Sequence, residues 1–207
     1  MSRKLLVISG KKRHGKDTLT KHIIDEYNKI VGYECELVST AFADPIKKIA
    51  KTMFPQITTK DLWGPSENRD NIVKGCINPA TGEQLIVRDV LTTIGKWGRD
   101  CNKDCWVDST LSYVNRKVFD SKYPHDEIVF NYIISDGRFL NELEASKKHG
   151  AKIVRVIRQD VVSESTDESE INLDNVPLDY YDYVVYNTSL DKLAEEAKKI
   201  VDMYILE

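Results

Sequence analysis

The sequence predicts an α/β protein of three layers, α/β/α, built around a mostly parallel sheet of five strands. Short apolar runs alternate with amphipathic stretches along the chain, as expected of strands connected by crossover helices. A glycine-rich turn, "SGKKRHGKD", separates the first apolar run from the first amphipathic run, the context typical of a phosphate-binding loop, or P-loop. With 207 residues, 41% of them hydrophobic, the chain suits a single domain over residues 1–207.

The first two strand–helix units are predicted from the spacing of apolar residues. "KLLVIS" at 4–9 indicates a buried strand, and a helix from about residue 15 to residue 30 follows it. "CELVSTAF" at 35–42 indicates the second strand. Asp44 and Pro45 then predict the N-cap and the first turn of another helix.

The middle of the chain is predicted to be less regular. Residues 55–85 hold three of the six prolines and the turn "NPATGEQ", which favours a loop-rich insertion with a small hairpin. Two helices should follow, over about 86–98 and 104–119.

The alternation of strands and helices then resumes. "EIVFNYIIS" at 127–135 predicts a third strand, followed by a helix that ends at Gly150 as its C-terminal cap. "KIVRVIR" and "YDYVVYN" predict two more strands, separated by an acidic polar loop over 160–179. Ser189 should open the final helix.

Charge and composition exclude several classes of protein. The formal net charge of −3 and the pI near 5.9 give no global attraction to nucleic acid or membrane, so neither is an expected partner. No apolar run reaches the ~20 residues of a membrane span, and "LLVI" is too short for a signal peptide; we expect a soluble, cytoplasmic protein. The four cysteines are expected to be reduced thiols, the alternative being a metal site at Cys101 and Cys105.

The glycine-rich turn matches the G-x4-G-K pattern through Gly10, Gly15 and Lys16. Its glycines let backbone N–H groups curl around a phosphate, the helix N-terminus adds partial positive charge, and Lys16 brings a mobile charge to the outer phosphates. Arg13 and His14 complete the basic cluster. The alternative is a tight turn with a solvated basic cluster, but the strand–turn–helix context favours nucleoside triphosphate binding.

Two other classes of phosphate-loop protein fit less well. "NKDC" at 102–105 misses the N-K-x-D motif of guanine-nucleotide switches by one position, and no buried strand precedes "DLWG" at 61–64. The serine-glycine-glycine signature of transporter ATPases is absent and the chain is short for that class. The size suits a small kinase.

Four stretches, in their order, resemble the tailed-phage deoxynucleoside monophosphate kinases. They are "SGKKRHGKDT", "VRDVLTTIG" leading to Trp106, "ISDGRFLNELEASKKHGAKIVRVIR" and "YNTSLDKL". The resemblance covers most of the chain except about 55–85, and dephospho-CoA kinase and phosphomevalonate kinase are more distant relatives. It implies a nucleoside monophosphate kinase-like fold, often dimeric, that uses ATP and Mg²⁺ to phosphorylate a deoxynucleoside monophosphate.

The loop motif and the resemblance together assign functional positions. The expected catalytic residues are Lys16, Asp17, Arg88 and Arg138. The expected ATP-binding residues are Gly10, Arg13, His14, Gly15, Lys16, Thr18 and Arg158. The expected acceptor-binding residues are Asp17, Arg88, Gly95, Lys96, Trp106, Asp136 and Arg138, and those expected at Mg²⁺ are Thr18 and Asp136.

Several of these positions have a structural alternative. Arg88 could cap a helix or pair with the neighbours of Asp89, and Arg138 could be a solvated first-turn residue. Asp136 could be the N-cap of the following helix. Trp106 could pack in the core rather than stack on a base, and Trp97 is assigned to packing.

Departures from the family's pattern limit what the resemblance implies. Asp89, Thr92 and Lys96 differ from it where the acceptor base would be read, so base preference is not carried over. The acidic segment over about 159–179 occupies the place of a closing lid, with Arg158 at its edge as a charge donor; the alternative is a surface loop. Two other functions stay open: a kinase for another small phosphorylated acceptor, and a nucleotide-binding protein without turnover.

Asp17 stands where the phosphate-loop pattern has serine or threonine. A carboxylate there is repelled by bound phosphate although the helix dipole favours it. It is sensible if it holds a magnesium-bound water, or if it faces the acceptor and orients an arginine such as Arg88, while Thr18 contacts magnesium or phosphate directly. The alternative is a carboxylate that serves the helix dipole alone.

Overall fold

The structure is a computed structural model that describes residues 4–31, 37–115, 118–119, 127–128, 130–161 and 172–206. The chain divides into two compact units, Met1–Phe42 with Leu111–Glu207, and Ala43–Thr110. This division into units does not test whether residues 1–207 form a single kinase domain, which stays a prediction.

Strands and helices alternate through most of the described chain. In chain order they are β1 (Leu5–Gly10), α1 (Lys16–Val31), β2 (Leu37–Thr40), α2 (Asp44–Met53), α3 (Thr59–Trp63), β3 (Ile72–Ile77), β4 (Gln84–Ile86), α4 (Val87–Cys101), α5 (Cys105–Val114), β5 (Val118–Phe119), β6 (Glu127–Ile128), β7 (Asn131–Gly137), α6 (Leu140–Lys148), β8 (Lys152–Ile157), β9 (Tyr183–Tyr186) and α7 (Leu190–Tyr204). In the described ranges, 3₁₀ turns cover Ser66–Asp70, Asn172–Asn175 and Leu178–Tyr180.

The first unit contains a parallel sheet of five strands in the order β2-β7-β1-β8-β9. Leu6 and Ile8 of β1 pack on one face in a core shared with α1 and α7. On the other face, a Cβ on Gly137 would lie 2.7 Å from Val7 and 3.0 Å from Leu143 of α6. Helices therefore cover both faces, which makes every residue of β1 buried and confirms the predicted fold class.

The central strands bring three chain segments to one edge of this sheet. Ser9 pairs with Gly137 of β7, and Gly10 pairs with Val156 of β8. Because parallel strands end at the same edge, the glycine-rich loop, the end of β7 and the segment after β8 emerge together. Ligands of open parallel sheets bind at this edge.

The second unit has its own core, built from α2, α3, the β3–β4 hairpin, α4 and Trp106. The hairpin predicted within residues 55–85 is confirmed. Helix α4 runs to Cys101 rather than ending near 98, since the Gly98 carbonyl oxygen accepts the Asn102 N–H as a further helical bond. Gly98 is a packing position, where a Cβ would lie 2.1 Å from the Trp106 ring.

Other predicted boundaries are wrong. Strand β7 begins at Asn131, and residues 127–128 pair instead with 118–119 in a separate two-stranded sheet. Helix α5 ends at Val114. Cys35 and residues 162–171 of the predicted lid lie outside the described residues.

The predicted N-cap at Asp44 is also wrong. Ala43 is the N-cap of α2 and makes no side-chain cap bond, while Asp44 is the first helical residue. The Asp44 carboxylate instead accepts hydrogen bonds from Lys47 and from the Trp63 indole. The caps at Ser189 and Gly150 are confirmed: Ser189 Oγ accepts from the Lys192 N–H, and Gly150 has a φ of +78°.

Candidate phosphate-binding site

The loop between β1 and α1 has glycine where the backbone needs it. Gly15 has a φ of +97°, and a Cβ there would lie 2.5 Å from Asn187 Nδ2. A Cβ on Gly10 would lie 2.8 Å from the carbonyl oxygen of Val156. Arg13 has a φ of +64°, a conformation that is uncommon for residues other than glycine. Successive turns of this kind form backbone concavities that bind anions.

Lys16 is the first residue of α1 and is buried. Its Nζ donates a 2.8 Å hydrogen bond to the carbonyl oxygen of Lys11 in the same loop. The ammonium group is therefore folded back over the loop, where a phosphate oxygen could replace the carbonyl as its acceptor.

His14 and Asn187 attach the loop to the neighbouring strands. The Nδ1 of His14 lies 3.4 Å from the Val156 carbonyl oxygen and 3.3 Å from the Arg158 nitrogen, so its tautomer decides whether it donates or accepts. Asn187, the first residue after β9, donates to the His14 carbonyl oxygen at 2.9 Å. The sequence reasoning missed Asn187, although it lies within "YNTSLDKL" as the last residue of the predicted strand "YDYVVYN".

A cleft of about 420 Å³ opens beside the loop. It brings together Asp17 and five of the seven expected ATP-binding residues, namely Arg13, Gly15, Lys16, Thr18 and Arg158. Its opposite wall comes from the end of β9 and the start of α7 and consists of Asn187, Thr188, Ser189, Leu190 and Leu193. A separate depression of about 440 Å³, between α1 and Ala194 of α7, contains no residue of the loop.

The described ends of the predicted lid segment pair with one basic residue in the loop, Lys11, and one beside it, Arg158. Arg158 binds Asp160 through two hydrogen bonds of 2.8 and 2.9 Å, and these hold the pKa of Asp160 below its ordinary value. Lys11 Nζ lies 2.6 Å from Asp174. Both carboxylates therefore compete with any phosphate that these cations would bind.

Asp136 and Arg138 lie at the end of β7. The Oδ1 of Asp136 accepts the Phe42 N–H at 2.6 Å. Glu142 accepts the N–H groups of Arg138 at 2.7 Å and of Phe139 at 3.0 Å, and Phe139 is the N-cap of α6. Asp136 is therefore not the helix cap; it fixes the chain that leaves β2.

Glu142 is a buried carboxyl beside the expected site. Burial, and secondly the nearby Asp136 carboxylate, raise its pKa to about 8, against the effect of the two backbone N–H groups that it accepts. Because the unfolded chain loses this proton near the ordinary pKa of 4.5, the folded state binds more protons between these two values.

We expect the free energy of unfolding to fall as the pH rises from about 5 to 8, by up to about 1.4 kcal/mol per pH unit. Glu142→Gln keeps an oxygen acceptor but cannot ionise. Its free energy of unfolding should therefore depend less on pH, and the difference in free energy of unfolding between the variant and wild type should widen as the pH rises. Urea unfolding across this range measures it, with exposed Glu144→Gln as the matched control. Parallel curves for wild type and Glu142→Gln would contradict the assigned pKa.

The expected acceptor residues Arg88, Gly95, Lys96 and Trp106 belong to the second unit. Arg88 Nε donates to Asp70 at 2.8 Å and Nη2 to the Ser66 carbonyl oxygen at 3.4 Å. The Asp70 hydrogen bond raises the pKa of Arg88, whose side chain is 41% exposed. Arg88 is thus paired with Asp70 rather than with a neighbour of Asp89, and its guanidinium still reaches solvent.

Trp106 lies in the core of the second unit. It is 9% exposed, and its indole N–H donates to the Gly95 carbonyl oxygen at 3.0 Å. A base could stack on its ring only after the contact with Gly98 opened. A Cβ on Gly95 would make only ordinary contacts, the nearest at 3.5 Å to Ile46, and Lys96 is exposed.

Oxygen ligands suited to Mg²⁺ are present at the loop and at β7. Within the residues that the structure describes, no cluster of three or more His, Cys, Asp or Glu could hold a metal ion by itself. Magnesium at phosphate sites typically takes one or two protein oxygens and completes its shell with water and phosphate. The Thr18 hydroxyl and the Asp17 and Asp136 carboxylates are ligands of that kind.

Comparisons with known proteins find similarity to kinases by sequence and by shape. No protein-family model matches the chain. A protein of Acanthamoeba polyphaga mimivirus named "Putative deoxynucleotide monophosphate kinase" is 27% identical over 197 residues, covering 88% of each chain. A solved sugar kinase from Janibacter sp. HTCC2649 superposes with a TM-score of 0.40 and 13% identity over 98% of this chain and 96% of that one. A superposition at that level supports no conclusion about chemistry.

In the described ranges, no helix is long and apolar enough to cross a membrane.

Proposed function

We propose that the protein is a kinase that transfers the γ-phosphoryl group of ATP to a deoxynucleoside monophosphate. The observation that carries this proposal is the loop itself, with glycine required at two positions and Lys16 folded over it at the carboxyl edge of a parallel sheet. The similarity to the mimivirus protein extends over 88% of both chains, which supports the acceptor class. A homodimer, a cytoplasmic location and the lack of nucleic-acid or membrane partners stay predictions.

The loop and its cleft are assigned to the donor nucleotide. Loop N–H groups and Lys16 bind the outer phosphates of ATP, where fixed donors stabilise the charge of the transferring group. The cleft wall formed by Asn187 and Thr188 takes the nucleoside part. Arg158 lines the same cleft and reaches ATP by exchanging Asp160 for a phosphate.

The reaction needs positioned charges rather than a covalent intermediate. An acceptor phosphate oxygen attacks the γ-phosphorus while the bond from that phosphorus to the β–γ bridging oxygen breaks, and the electron pair stays on ADP. No base is required, because a phosphate monoester is largely dianionic near pH 7 (second pKa about 6). Mg²⁺, held through Thr18 with Asp17 or Asp136, would neutralise charge on the phosphates.

Arg88 is assigned to the acceptor phosphate. Arg88→Ala should raise the KM for the acceptor by about 10- to 100-fold, since a charge-assisted contact is worth about 1.5–3 kcal/mol, and should change the KM for ATP much less. Arg88→Lys should fall between, because lysine keeps the charge but loses the paired donors. Steady-state kinetics with each substrate varied measures both, and exposed Lys74→Ala in the same unit is the control. An effect confined to ATP would move Arg88 to the donor side.

The proposal is tested by ADP release over a panel of acceptors. The panel contains the deoxy- and ribonucleoside monophosphates, dephospho-CoA and phosphomevalonate, each with ATP and Mg²⁺. Rapid, saturable ADP release with at least one deoxynucleoside monophosphate, and formation of its diphosphate, is expected. Turnover of dephospho-CoA or phosphomevalonate instead would establish the other kinase class, and ATP binding without acceptor-dependent release would establish a protein without turnover.

A further inference from the structure

Trp63, the last residue of α3, is an aromatic side chain that is fixed in orientation yet open to solvent. It is 43% exposed. Its indole Nε1 donates to Asp44 Oδ1 at 2.9 Å. Because the hydrogen-bonding demand of the indole is already met, the exposed part of the ring offers an apolar π surface alone.

A largely buried ion pair holds the plane of this indole. The same Oδ1 of Asp44 accepts from Lys47 Nζ at 3.0 Å, and the side chains of Asp44 and Lys47 are only 16% and 11% exposed. The ammonium group lies 5.7 Å from the centre of the Trp63 ring, within the range of a cation–π contact. The ring is thus oriented before any ligand arrives, which lowers the entropic cost of binding.

The chain after Trp63 leads directly to Arg88. Gly64 N–H donates to the Lys60 carbonyl oxygen at 3.0 Å, and a Cβ on Gly64 would lie 2.3 Å from that oxygen, so the chain turns tightly there. Arg88 then binds both ends of the 3₁₀ turn that follows, through Ser66 and Asp70. Trp63 and Arg88 are therefore joined by a short, hydrogen-bonded segment of the same unit.

We infer that Trp63 is the stacking surface for the base of the acceptor nucleotide, with Asp44 and Lys47 as positioning residues that hold its plane. This inference rests on the proposed function, in which Arg88 takes the acceptor's phosphate. Every purine and pyrimidine has a π face, so stacking on Trp63 contributes affinity without selecting the base. Trp106, which the resemblance placed in this role, has its ring in the core.

Kinetics of two tryptophan variants test the inference. Trp63→Ala should raise the acceptor KM about tenfold or more, in line with the cost of losing one stacked base. Trp63→Phe keeps an aromatic ring, so its acceptor KM should lie much closer to that of wild type. The KM for ATP should change less than twofold. Trp97→Ala is the matched control, because Trp97 is 61% exposed in the same unit rather than packed as the sequence predicted. Equal acceptor KM values for Trp63→Ala and wild type would overturn the inference.

Equilibrium binding separates this inference from the proposed function. In a Trp97→Phe background, deoxynucleoside monophosphates should quench the tryptophan fluorescence saturably, and adding Trp63→Phe should remove the quenching. Saturable quenching without turnover would refute the proposed kinase but support the base site, whereas turnover without quenching would overturn the site alone. If Trp63→Ala instead dissociates an oligomer in light scattering while the acceptor KM is unchanged, Trp63 contacts a second copy and the inference is wrong.

The positioning role of Asp44 has its own readout. Asp44→Asn preserves the side-chain shape but removes the charge that anchors Lys47 and strengthens the indole bond. It should increase the mobility of Trp63 in time-resolved fluorescence anisotropy and raise the acceptor KM several-fold, with kcat little changed. A loss of thermal stability with unchanged anisotropy and acceptor KM would make the Asp44 contact merely structural.

Discussion

Lys16→Ala is expected to lower turnover by about 10²- to 10³-fold while the protein stays folded. The backbone of the loop would still bind phosphate, but the charge that stabilises the transferring group would be gone, and a lost preorganised donor of this kind costs about 3–4 kcal/mol in the transition state. Lys16 Nζ donates to a carbonyl oxygen of its own loop, and the core beneath the loop consists of apolar side chains of the strands and helices, so the core should survive. Acceptor-dependent ADP release and thermal unfolding measure the two effects.

Lys21→Ala is the control for this substitution. Lys21 lies on the same helix, is 76% exposed and forms a surface pair with Asp25, so its loss should cost no more than about 0.5 kcal/mol of stability and no activity. Near-normal turnover of Lys16→Ala would defeat the kinase proposal. Unfolding of Lys16→Ala would shift the test to Lys16→Met, which keeps the length of the side chain without its charge.

The part of the fold that local patterns specify was predictable from the sequence. Strand β1, the glycine turn and α1 follow from an apolar run, two glycines and helical spacing, each read within a few residues. The caps at Ser189 and Gly150 are local for the same reason. The structure adds the steric cause, since Gly15 needs both its positive φ and the space beside Asn187.

Features that depend on distant parts of the chain were not predictable. Asn187 reaches the loop from 173 positions away, and Lys11 meets Asp174 from 163 positions away, so no spacing rule joins them. Asp44 has the sequence signature of a helix cap, but its carboxylate makes the stronger charge-assisted contact with Lys47. The same carboxylate accepts from the Trp63 indole, 19 positions further along the chain, so no local pattern indicates how the Trp63 ring is oriented.

Asp17 presents the sharpest conflict between local electrostatics and function. It is exposed in the first turn of α1 and lines the cleft together with Lys16 and Thr18. The helix dipole favours a carboxylate there by about 0.3–1 kcal/mol, which is too little to explain a negative charge beside bound phosphates, whose repulsion at close range is of similar or larger size. A cation between the carboxylate and the phosphates, or a partner on the acceptor, resolves the conflict.

Asp17→Asn should therefore lower kcat about 10- to 100-fold with little change in the midpoint of thermal unfolding, because the interaction it removes is made in the transition state. Asp25→Asn, the same change on an exposed residue of the same helix, should leave kcat intact.

A magnesium titration separates the two roles considered for Asp17, at the metal and at the acceptor. If Asp17 holds a magnesium-bound water, the variant should need a higher Mg²⁺ concentration for half-maximal rate, since a carboxylate is the ligand that Mg²⁺ prefers. If Asp17 instead orients an acceptor-side arginine, the Mg²⁺ dependence should match wild type and the acceptor kinetics should change. Full activity of Asp17→Asn at every Mg²⁺ concentration would leave only the dipole role for this carboxylate.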